Sequence, residues 1–364
     1  MARILTLYEH GRRRFVPIDM SYIRWARISA ALADLGHHVD IACREPGPLG
    51  LGDRRRPVAM GPRLRRIPLD RVDCGSYDVV KTLFHKGFQT LEQLGGTGHP
   101  FLIAKLGSVV DRHECEAIYF HGERRRQLFA VQERIAAHSR WVTVLTEASR
   151  RRWIGCFGDE RPGTLLVPGA VDARIPARGR NPFPPDGRRH CLFAGNIYDP
   201  QSQPEAHATL VAKLNDLGRR LHRRSIRLWL MGPGDRKGLD PAHVTWLGAV
   251  PYQDSWNVLQ HADVGLVLAL GAEPNENEST KIYHYLRVGL PTVCEAGFPN
   301  QGLVEEARLG HVVPNGDPEA MAEAIEDCIN SRWDTQGAID FVLGRHTWLH
   351  RARIYDAHIR AAGL

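Results

Sequence analysis

The 364-residue sequence lacks any long hydrophobic run. No window contains the roughly 18 consecutive apolar residues that a membrane-spanning helix requires. Residues 1–8 read as a short strand followed by polar residues, without the apolar region and cleavage site of a signal peptide. These absences predict a cytoplasmic protein.

Paired cysteines and metal-binding spacings are absent as well. The seven cysteines are odd in number and scattered, and no two of them have CxxC spacing. This distribution argues against a disulfide framework or a zinc site and favours reduced, mostly buried thiols. We therefore expect neither a metal ion nor a bound cofactor.

The dinucleotide fingerprint is missing too. A nicotinamide-dependent oxidoreductase would carry GxGxxG after the first strand, with an acid about 20 residues further on. The turn at that place reads His10-Gly11-Arg12-Arg13. The sequence therefore does not support that class of enzyme.

What the sequence does contain is a basic first half. Of the 48 lysines and arginines, 27 lie in residues 1–172, against 19 of the 41 acids, and the remainder is close to neutral. The excess lies in arginine clusters at residues 12–14, 54–56, 63–66, 124–126 and 150–152. A basic half suggests an anionic partner, such as a phospholipid surface or a phosphorylated acceptor. The alternative is that the arginine clusters form an ordinary solvated surface without a partner. Nucleic acid is not expected as the partner, because the sequence contains no nucleic-acid-binding motif.

The chain alternates short apolar strands with amphipathic helices, and this pattern restarts after a Pro/Gly-rich stretch at residues 181–187. Such alternation predicts an α/β fold with two Rossmann-like domains in tandem and a cleft between them. We place the first domain at residues 1–170 and the second at 171–345. Residues 346–364 are expected to form a helix that packs back toward the first domain.

One segment suggests chemistry more strongly than any other. Ser279 and Thr280 are good N-cap residues for a helix whose N-terminal N–H groups and dipole would attract a phosphate. Lys281 adds a full positive charge, and Glu276 and Glu278 could bind neighbouring hydroxyl groups. A phosphate site beside hydroxyl-binding acids suits a sugar nucleotide. The alternative is an ordinary capped helix with solvated acids.

Six short motifs, in order, resemble those of the GT-B glycosyltransferases, in particular the GT4-like group called glycosyltransferase group 1. They are Val-Pro-Gly-Ala-Val-Asp at 167–172, Phe-Ala-Gly-Asn at 193–196, Met-Gly-Pro-Gly at 231–234, Trp-Leu-Gly-Ala-Val at 246–250, Ala-Asp-Val at 262–264 and Gly-Leu-Pro-Thr-Val at 289–293. The resemblance implies the GT-B fold and a donor site mainly on the second domain.

The resemblance also implies roles for individual residues. The predicted diphosphate and nucleotide contacts are Gly195, Asn196, Gly232, Tyr252, Ser279, Thr280, Lys281 and His284, with Gly232 leaving room for the nucleotide and Tyr252 stacking on its base. The predicted donor-sugar contacts are Glu276, Asn277 and Glu278. His284 stands where the group has the second of two glutamates, and the Ser-x-Lys at 279–281 resembles GT-B glucuronosyltransferases instead.

The catalytic side is assigned by the same resemblance to the first domain. A His near the end of a strand is common there, and His121 and Glu123 occupy that place. Either could deprotonate an acceptor hydroxyl or orient the sugar. His10, Arg12 and His85 are expected on the acceptor side, and Asp19 could serve if the enzyme inverts.

These features predict a metal-independent glycosyltransferase that moves a hexosyl or uronosyl group from a UDP- or GDP-sugar to an acceptor hydroxyl. Polysaccharide or glycolipid synthesis at the inner face of a membrane, with peripheral attachment, is the expected setting. Two alternatives remain open: a nucleotide-sugar epimerase of the same fold, and a sugar- or nucleotide-binding protein without activity.

Overall fold

The structure is a computed structural model, and it describes residues 1–8, 20–43, 58–112, 122–160, 162–271 and 275–364. The chain divides into two compact units. The N-terminal unit comprises residues 1–170 and 348–364, and the C-terminal unit comprises residues 171–347.

The N-terminal unit is a sheet with helices packed against it. Its described strands are β1 (Arg3–Tyr8), β2 (His38–Cys43), β3 (Val58–Gly61), β4 (Leu64–Pro68), β5 (Val79–Leu83), β6 (Leu102–Lys105), β7 (Trp141–Val144) and β8 (Gly163–Leu166). Its described α-helices are α1 (Met20–Asp34), α2 (Phe84–Gln93), α3 (Gly122–His138), α4 (Glu147–Phe157) and α11 (Trp348–Ala361). The strands lie in the order β3-β4-β2-β1-β5-β6-β7-β8, and every neighbouring pair is parallel except β3 and β4.

The C-terminal unit repeats this architecture with a smaller sheet. Its described strands are β9 (Arg189–Ala194), β10 (Ile226–Met231), β11 (Val244–Gly248), β12 (Val264–Val267), β13 (Thr292–Glu295) and β14 (Gly310–Val313). Its described helices are α5 (Pro204–Arg223), α6 (Tyr252–His261), α7 (Thr280–Arg287), α8 (Gly302–Glu306), α9 (Pro318–Asn330) and α10 (Thr335–Arg345). All neighbouring strands are parallel, in the order β11-β10-β9-β12-β13-β14.

Both sheets form because their strands are short apolar runs that helices cover. In β10, for example, Leu228, Leu230 and Met231 are buried, and α5 packs its apolar stripe, including Leu210, Leu214 and Leu217, into the same core. Where a helix connects two strands, the chain crosses over and the next strand can pair in parallel, whereas the short turn between β3 and β4 gives the one antiparallel pair of the described strands.

Each sheet has a switch point, where the chain stops adding strands on one side of the first strand and begins adding them on the other. In the N-terminal sheet the strand order reverses between β1 and β5, and in the C-terminal sheet it reverses between β9 and β12. In open α/β sheets, ligands bind outside the carboxyl ends of the strands at this switch point. The fold thus predicts where a ligand would lie in each unit.

The last helix belongs to the N-terminal unit. Tyr355 and Ala352 of α11 are fully buried in the core that also contains Trp25 and Ile28 of α1. His37 adds a polar link, because its Nδ1 accepts a hydrogen bond from the Ala2 N–H, at 3.2 Å, and its Nε2 lies 2.8 Å from Asp356 Oδ1. Within the described ranges, no helix is both long and apolar enough to cross a membrane.

Candidate functional site

At the switch point of the C-terminal sheet, a tyrosine side chain lies between strands β9 and β12. β9 and β12 pair only through Cys191 and Leu192, and beyond these residues the hydroxyl of Tyr285 enters between the strands. It accepts a hydrogen bond from the Ala194 N–H at 2.9 Å and lies 3.1 Å from the carbonyl oxygens of Leu192 and Leu266. This wedge fixes α7 against the carboxyl ends of both strands.

Lys281, in the first turn of α7, points to the end of β9. Its ammonium lies over the ring of Phe193, 5.0 Å from the ring centroid. A Cβ at Gly195 would approach Lys281 Cε to 2.7 Å, so only glycine at 195 leaves room for the lysine. Burial lowers the pKa of Lys281 to about 8. Among the described residues the ammonium has neither a hydrogen bond nor an ion pair, so its charge is available to an anion.

Ser279 immediately precedes α7 and occupies the N-cap position, but its side chain makes no capping hydrogen bond. The sequence predicted the N-cap position correctly, and the contact of Ser279 with a phosphate stays a prediction. The hydroxyl is buried, and no described residue forms a hydrogen bond with Oγ. Asn300 instead binds the main chain of Ser279, through its Oδ1 to the N–H and its Nδ2 to the carbonyl, both at 2.9 Å. The hydroxyl therefore remains free for a ligand.

The turns after β9 and β10 pack directly on each other. A Cβ at Gly232 would lie 2.0 Å from the Gly195 carbonyl oxygen, which is far inside van der Waals contact. The Gly232 carbonyl in turn accepts a hydrogen bond from Trp246 Nε1 at 3.0 Å. Glycine at 232 is thus required by the protein's own packing, whatever room it also gives a nucleotide. Asn196 is exposed beside this turn.

Tyr252 and His284 are brought together by the contact between α6 and α7. The ring of Trp256 packs edge-on against both, at 5.5 Å from Tyr252 and 5.1 Å from His284. Tyr252 is buried in this arrangement. Stacking of Tyr252 on a base and a ribose contact from His284 stay predictions.

The predicted sugar-binding residues lie in the loop before α7. Glu276, Asn277 and Glu278 are partly buried, and Glu278 accepts a hydrogen bond from the Tyr283 hydroxyl at 2.8 Å. These three residues therefore lie at the start of the same helix as Ser279, Thr280 and Lys281. Their contacts with a sugar stay predictions.

A second set of contacts, which sequence reasoning missed, holds the start of this loop. The buried carboxylate of Glu295, at the end of β13, accepts hydrogen bonds from Lys213 Nζ at 2.7 Å and from the Ala269 N–H at 2.6 Å. The Gly297 carbonyl accepts from the Asn275 N–H at 2.7 Å. Glu295, Gly297 and Asn300, at and after the end of β13, thus bind Ala269, Asn275 and Ser279 through their main chains. Asn300 lies 21 positions from Ser279, and Glu295 lies 26 positions from Ala269. Contacts at this distance along the chain leave no local motif in the sequence.

The predicted catalytic and acceptor-side residues are less well defined. His10, Arg12, Asp19 and His121 lie outside the described residues. Glu123 is exposed in the first turn of α3, and hydrogen bonds from Arg126 and Gln127 hold the pKa of its carboxyl below the usual value. A lower pKa makes a weaker general base. Its role stays a prediction.

His85, the remaining acceptor-side residue, lies in α2 and is buried. Its Nε2 is 3.3 Å from Gln132 Oε1, and burial lowers the pKa of His85 to about 4. The imidazole is therefore neutral near pH 7. In the part of the chain that the structure describes, no group of three or more His, Cys, Asp or Glu could hold a metal ion.

A family model matches part of the C-terminal unit. Residues 188–331, which contain β9 to α9, match the family model described as Glycosyl transferases group 1. No curated protein matches the chain as a whole or in part.

Solved structures match over nearly the whole length. Sucrose-phosphate synthase (tll1590) from Thermosynechococcus elongatus has a TM-score of 0.65 and 17% identity, covering 100% of this chain and 98% of that one. Anabaena Alr3699/HepE in complex with UDP has a TM-score of 0.67 and 13% identity, covering 99% and 100%. An E. coli structure described as trehalose-6-phosphate bound with UDP-2-fluoro glucose has a TM-score of 0.66 and 11% identity, covering 98% of each chain.

These likenesses identify the fold. The two parallel-sheet units are the two Rossmann-like domains of a GT-B glycosyltransferase fold, as the sequence predicted. The segment that matches the group 1 model lies within the C-terminal unit and includes Lys281.

Proposed function

We propose that this protein is a glycosyltransferase that takes its sugar from a nucleotide-diphosphate sugar and binds the diphosphate at the N-terminus of α7. The observation that carries the proposal is a buried Ser279 hydroxyl without a hydrogen-bond partner at the start of α7, two positions before Lys281, whose side chain lies beside Gly195 and has no ion pair among the described residues. Both lie at the switch point of a group 1 glycosyl transferase domain.

The chemistry of sugar transfer fits this arrangement. As the glycosidic bond to the donor breaks, negative charge accumulates on the leaving diphosphate. Lys281 and the positive end of the α7 dipole would neutralise that charge, and the Ser279 hydroxyl would donate to a phosphate oxygen. Because the groups are held in place before the reaction, they cost no reorganisation during it. This account needs no metal ion, and we propose metal-independent transfer.

UDP is the nucleotide we propose first. Structural relatives are solved with UDP, with UDP-glucose and with UDP-2-fluoro glucose, and these share only the fold with this chain. Glu276, Asn277 and Glu278 are proposed to bind the hydroxyl groups of the transferred sugar. The acceptor we propose is a hydroxyl of a glycan or lipid-linked glycan, bound by the basic N-terminal unit on the cytoplasmic side of a membrane.

The test is direct binding of nucleotides to the intact protein. We expect UDP to raise the melting temperature, since a ligand that binds only the folded state must do so. The melting-temperature shifts with GDP, ADP and dTDP, compared with the shift for UDP, show which base the protein prefers. Each titration is repeated with EDTA to test for a metal requirement. Lys281→Met should weaken the binding of UDP at least about tenfold, the loss expected for a charge-assisted contact.

Lys86→Met is the matched control. Lys86 is an exposed lysine of α2 in the other unit, so this variant removes the same charge without touching the site. Equal UDP affinity in the wild-type protein and Lys281→Met would refute the site. Loss of binding in EDTA would refute the metal-independent mechanism.

Turnover separates the remaining alternatives. With a bound donor, a transferase releases the nucleoside diphosphate when an acceptor is supplied, an epimerase converts the donor sugar without an acceptor, and a binding protein does neither. Product analysis by chromatography with the preferred donor distinguishes the three outcomes.

A further inference from the structure

The switch point of the N-terminal sheet contains a buried lysine that has no anionic partner among the described residues. Lys81 lies in β5, and its cross-strand neighbour in β1 is Thr6, so the two residues straddle the reversal of strand order. Only 2% of Lys81 is exposed. Its ammonium lies over the ring of Tyr355 of α11, 5.1 Å from the centroid, and makes neither a hydrogen bond nor an ion pair with any described residue.

The electrostatic surroundings of Lys81 are unfavourable for a cation. Burial and the positive charge of Arg24 in α1 together lower the pKa of Lys81 to about 8. Arg24 is itself only 7% exposed, so two like charges lie buried close to each other. A buried charge is costly unless an opposite charge compensates it.

The neighbouring buried polar groups are also hydrogen-bond donors. Thr6 Oγ1 is fully buried and has no hydrogen-bond partner among the described residues. The same holds for Nε1 of Trp25, whose ring stacks on Tyr8 at 5.0 Å, on the same face of β1. Buried polar groups in folded proteins are nearly always paired. The Lys81 ammonium, the Thr6 hydroxyl and the Trp25 indole N–H can all donate hydrogen bonds, and none of them has an acceptor among the described residues.

The backbone beside Lys81 is strained as well. Phe84, immediately after β5, has a φ of +58°, in the left-handed region that a bulky side chain rarely adopts. Strain of this kind is concentrated at ligand sites, where the surrounding structure maintains it.

We propose that the switch point of the N-terminal sheet, at Thr6 and Lys81, is a binding site for a phosphate or carboxylate group. Lys81 supplies the charge, and the Thr6 hydroxyl donates a hydrogen bond. The site is separate in sequence and in structural unit from Ser279 and Lys281, and the inference does not depend on the proposed donor site. In a transferase, it would hold an anionic group of the acceptor.

The test measures anion binding to the full-length protein in a Lys281→Met background, so that phosphate does not report the C-terminal site. Inorganic phosphate, a hexose phosphate and a hexuronate are titrated by calorimetry and thermal shift. We expect Lys81→Met to weaken binding of the preferred anion about tenfold or more, and Thr6→Val to weaken it by less. Lys86→Met should bind like its parent.

The variants should remain folded, because Lys81→Met replaces a buried charge with an apolar chain of similar length. A melting temperature equal to or above that of the parent, without anion, verifies this. Tighter binding of a hexose phosphate or hexuronate than of inorganic phosphate assigns the anion to a sugar acceptor. Equal binding of free phosphate assigns the site to the free ion. Identical binding of every probe by parent and Lys81→Met, or no binding by the parent, overturns the proposal.

Discussion

The side-chain amide of Asn300 binds both main-chain polar groups of Ser279. Oδ1 accepts from the Ser279 N–H, and Nδ2 donates to the Ser279 carbonyl, each at 2.9 Å. An N-cap side chain would accept from an N–H of the first helical turn, and the Ser279 hydroxyl makes no such bond. The Asn300 contacts fix the main chain of Ser279 at the start of α7, while its buried hydroxyl has no hydrogen-bond partner among the described residues.

Asn300→Asp should weaken UDP binding more than it weakens the fold. The carboxylate can still accept from the Ser279 N–H. Its second oxygen cannot donate to the Ser279 carbonyl as the Asn300 amide does, so two acceptors face each other. The carboxylate also brings a negative charge toward the diphosphate. We expect UDP affinity to fall by about tenfold or more, measured by calorimetry. Asn330→Asp, at the exposed end of α9, is the control. Unchanged UDP affinity in Asn300→Asp would show that the clamp does not position the site.

Nucleotide affinity should fall as the pH rises above about 8. Lys281 is protonated below its pKa of about 8 and becomes neutral above it, whereas phosphate is fully ionised well below that pH. A bound diphosphate favours the ammonium, so binding above pH 8 must take up a proton. Calorimetry at pH 8.5 in buffers of different ionisation enthalpy measures that uptake, which Lys281→Met should abolish. Proton uptake that persists in the variant would assign the titration to another group.

The same lysine should lower stability at neutral pH. Its pKa is lower in the folded chain than the ordinary value of 10.5, so the unfolded chain binds more protons between these values. The cost of the buried charge is present below about pH 8 and is relieved as the pH rises toward 10.5. Without ligand, Lys281→Met should therefore melt at a higher temperature than the wild-type protein at pH 7, and the difference should narrow by pH 10.

Gly232→Ala should unfold part of the C-terminal unit. The added Cβ would lie 2.0 Å from the backbone oxygen of Gly195, and backbone cannot move aside as a flexible side chain can. Overpacking of this kind costs about 1–3 kcal/mol or more. Gly344→Ala, in α10 of the same unit, meets nothing within 4 Å and should be neutral or stabilising. Equal urea midpoints for Gly232→Ala and the wild-type protein would contradict the packing of the two turns.

The contact between His37 and Asp356 should make the docking of α11 depend on pH. Burial would raise the pKa of Asp356, but hydrogen bonds from His37 and Arg360 outweigh it and hold the pKa below the ordinary value. Its stabilisation is therefore complete above about pH 4 and lost as the pH falls through the folded value. Asp356→Asn should lower the melting temperature at pH 7 and have little effect at pH 2.5. The exposed Asp34→Asn provides the comparison, and an equal loss at both pH values would exclude the ionic contribution.

Prediction from sequence worked best where the information is local. The final helix, for example, was expected within residues 346–364 and spans Trp348–Ala361. The strands β3, β4, β6, β8 and β14 were not predicted. Four of these, β3, β6, β8 and β14, have only four residues each, which is too short for periodicity to distinguish a strand from a helix.

The candidate site was predicted in part for the same reason. Ser279, Thr280 and Lys281 are adjacent in sequence, so their place at a helix start could be read directly. Tyr285, Asn300 and Glu295 were missed because their partners lie far along the chain, and no motif announces a hydrogen bond between Tyr285 and Ala194.

The sequence by itself determined the alternation of strands and helices and the residue types that can bind a phosphate, because both depend on neighbours within a few positions. Tertiary structure decided which of these residues meet. Parallel pairing brings Thr6 beside Lys81 across a switch point, and the packing of α7 on the end of β9 brings Lys281 beside Gly195. It also decided which polar groups keep a partner, because burial and hydrogen bonding are set by contacts between distant segments, and these determine whether a lysine or serine is free to bind a ligand.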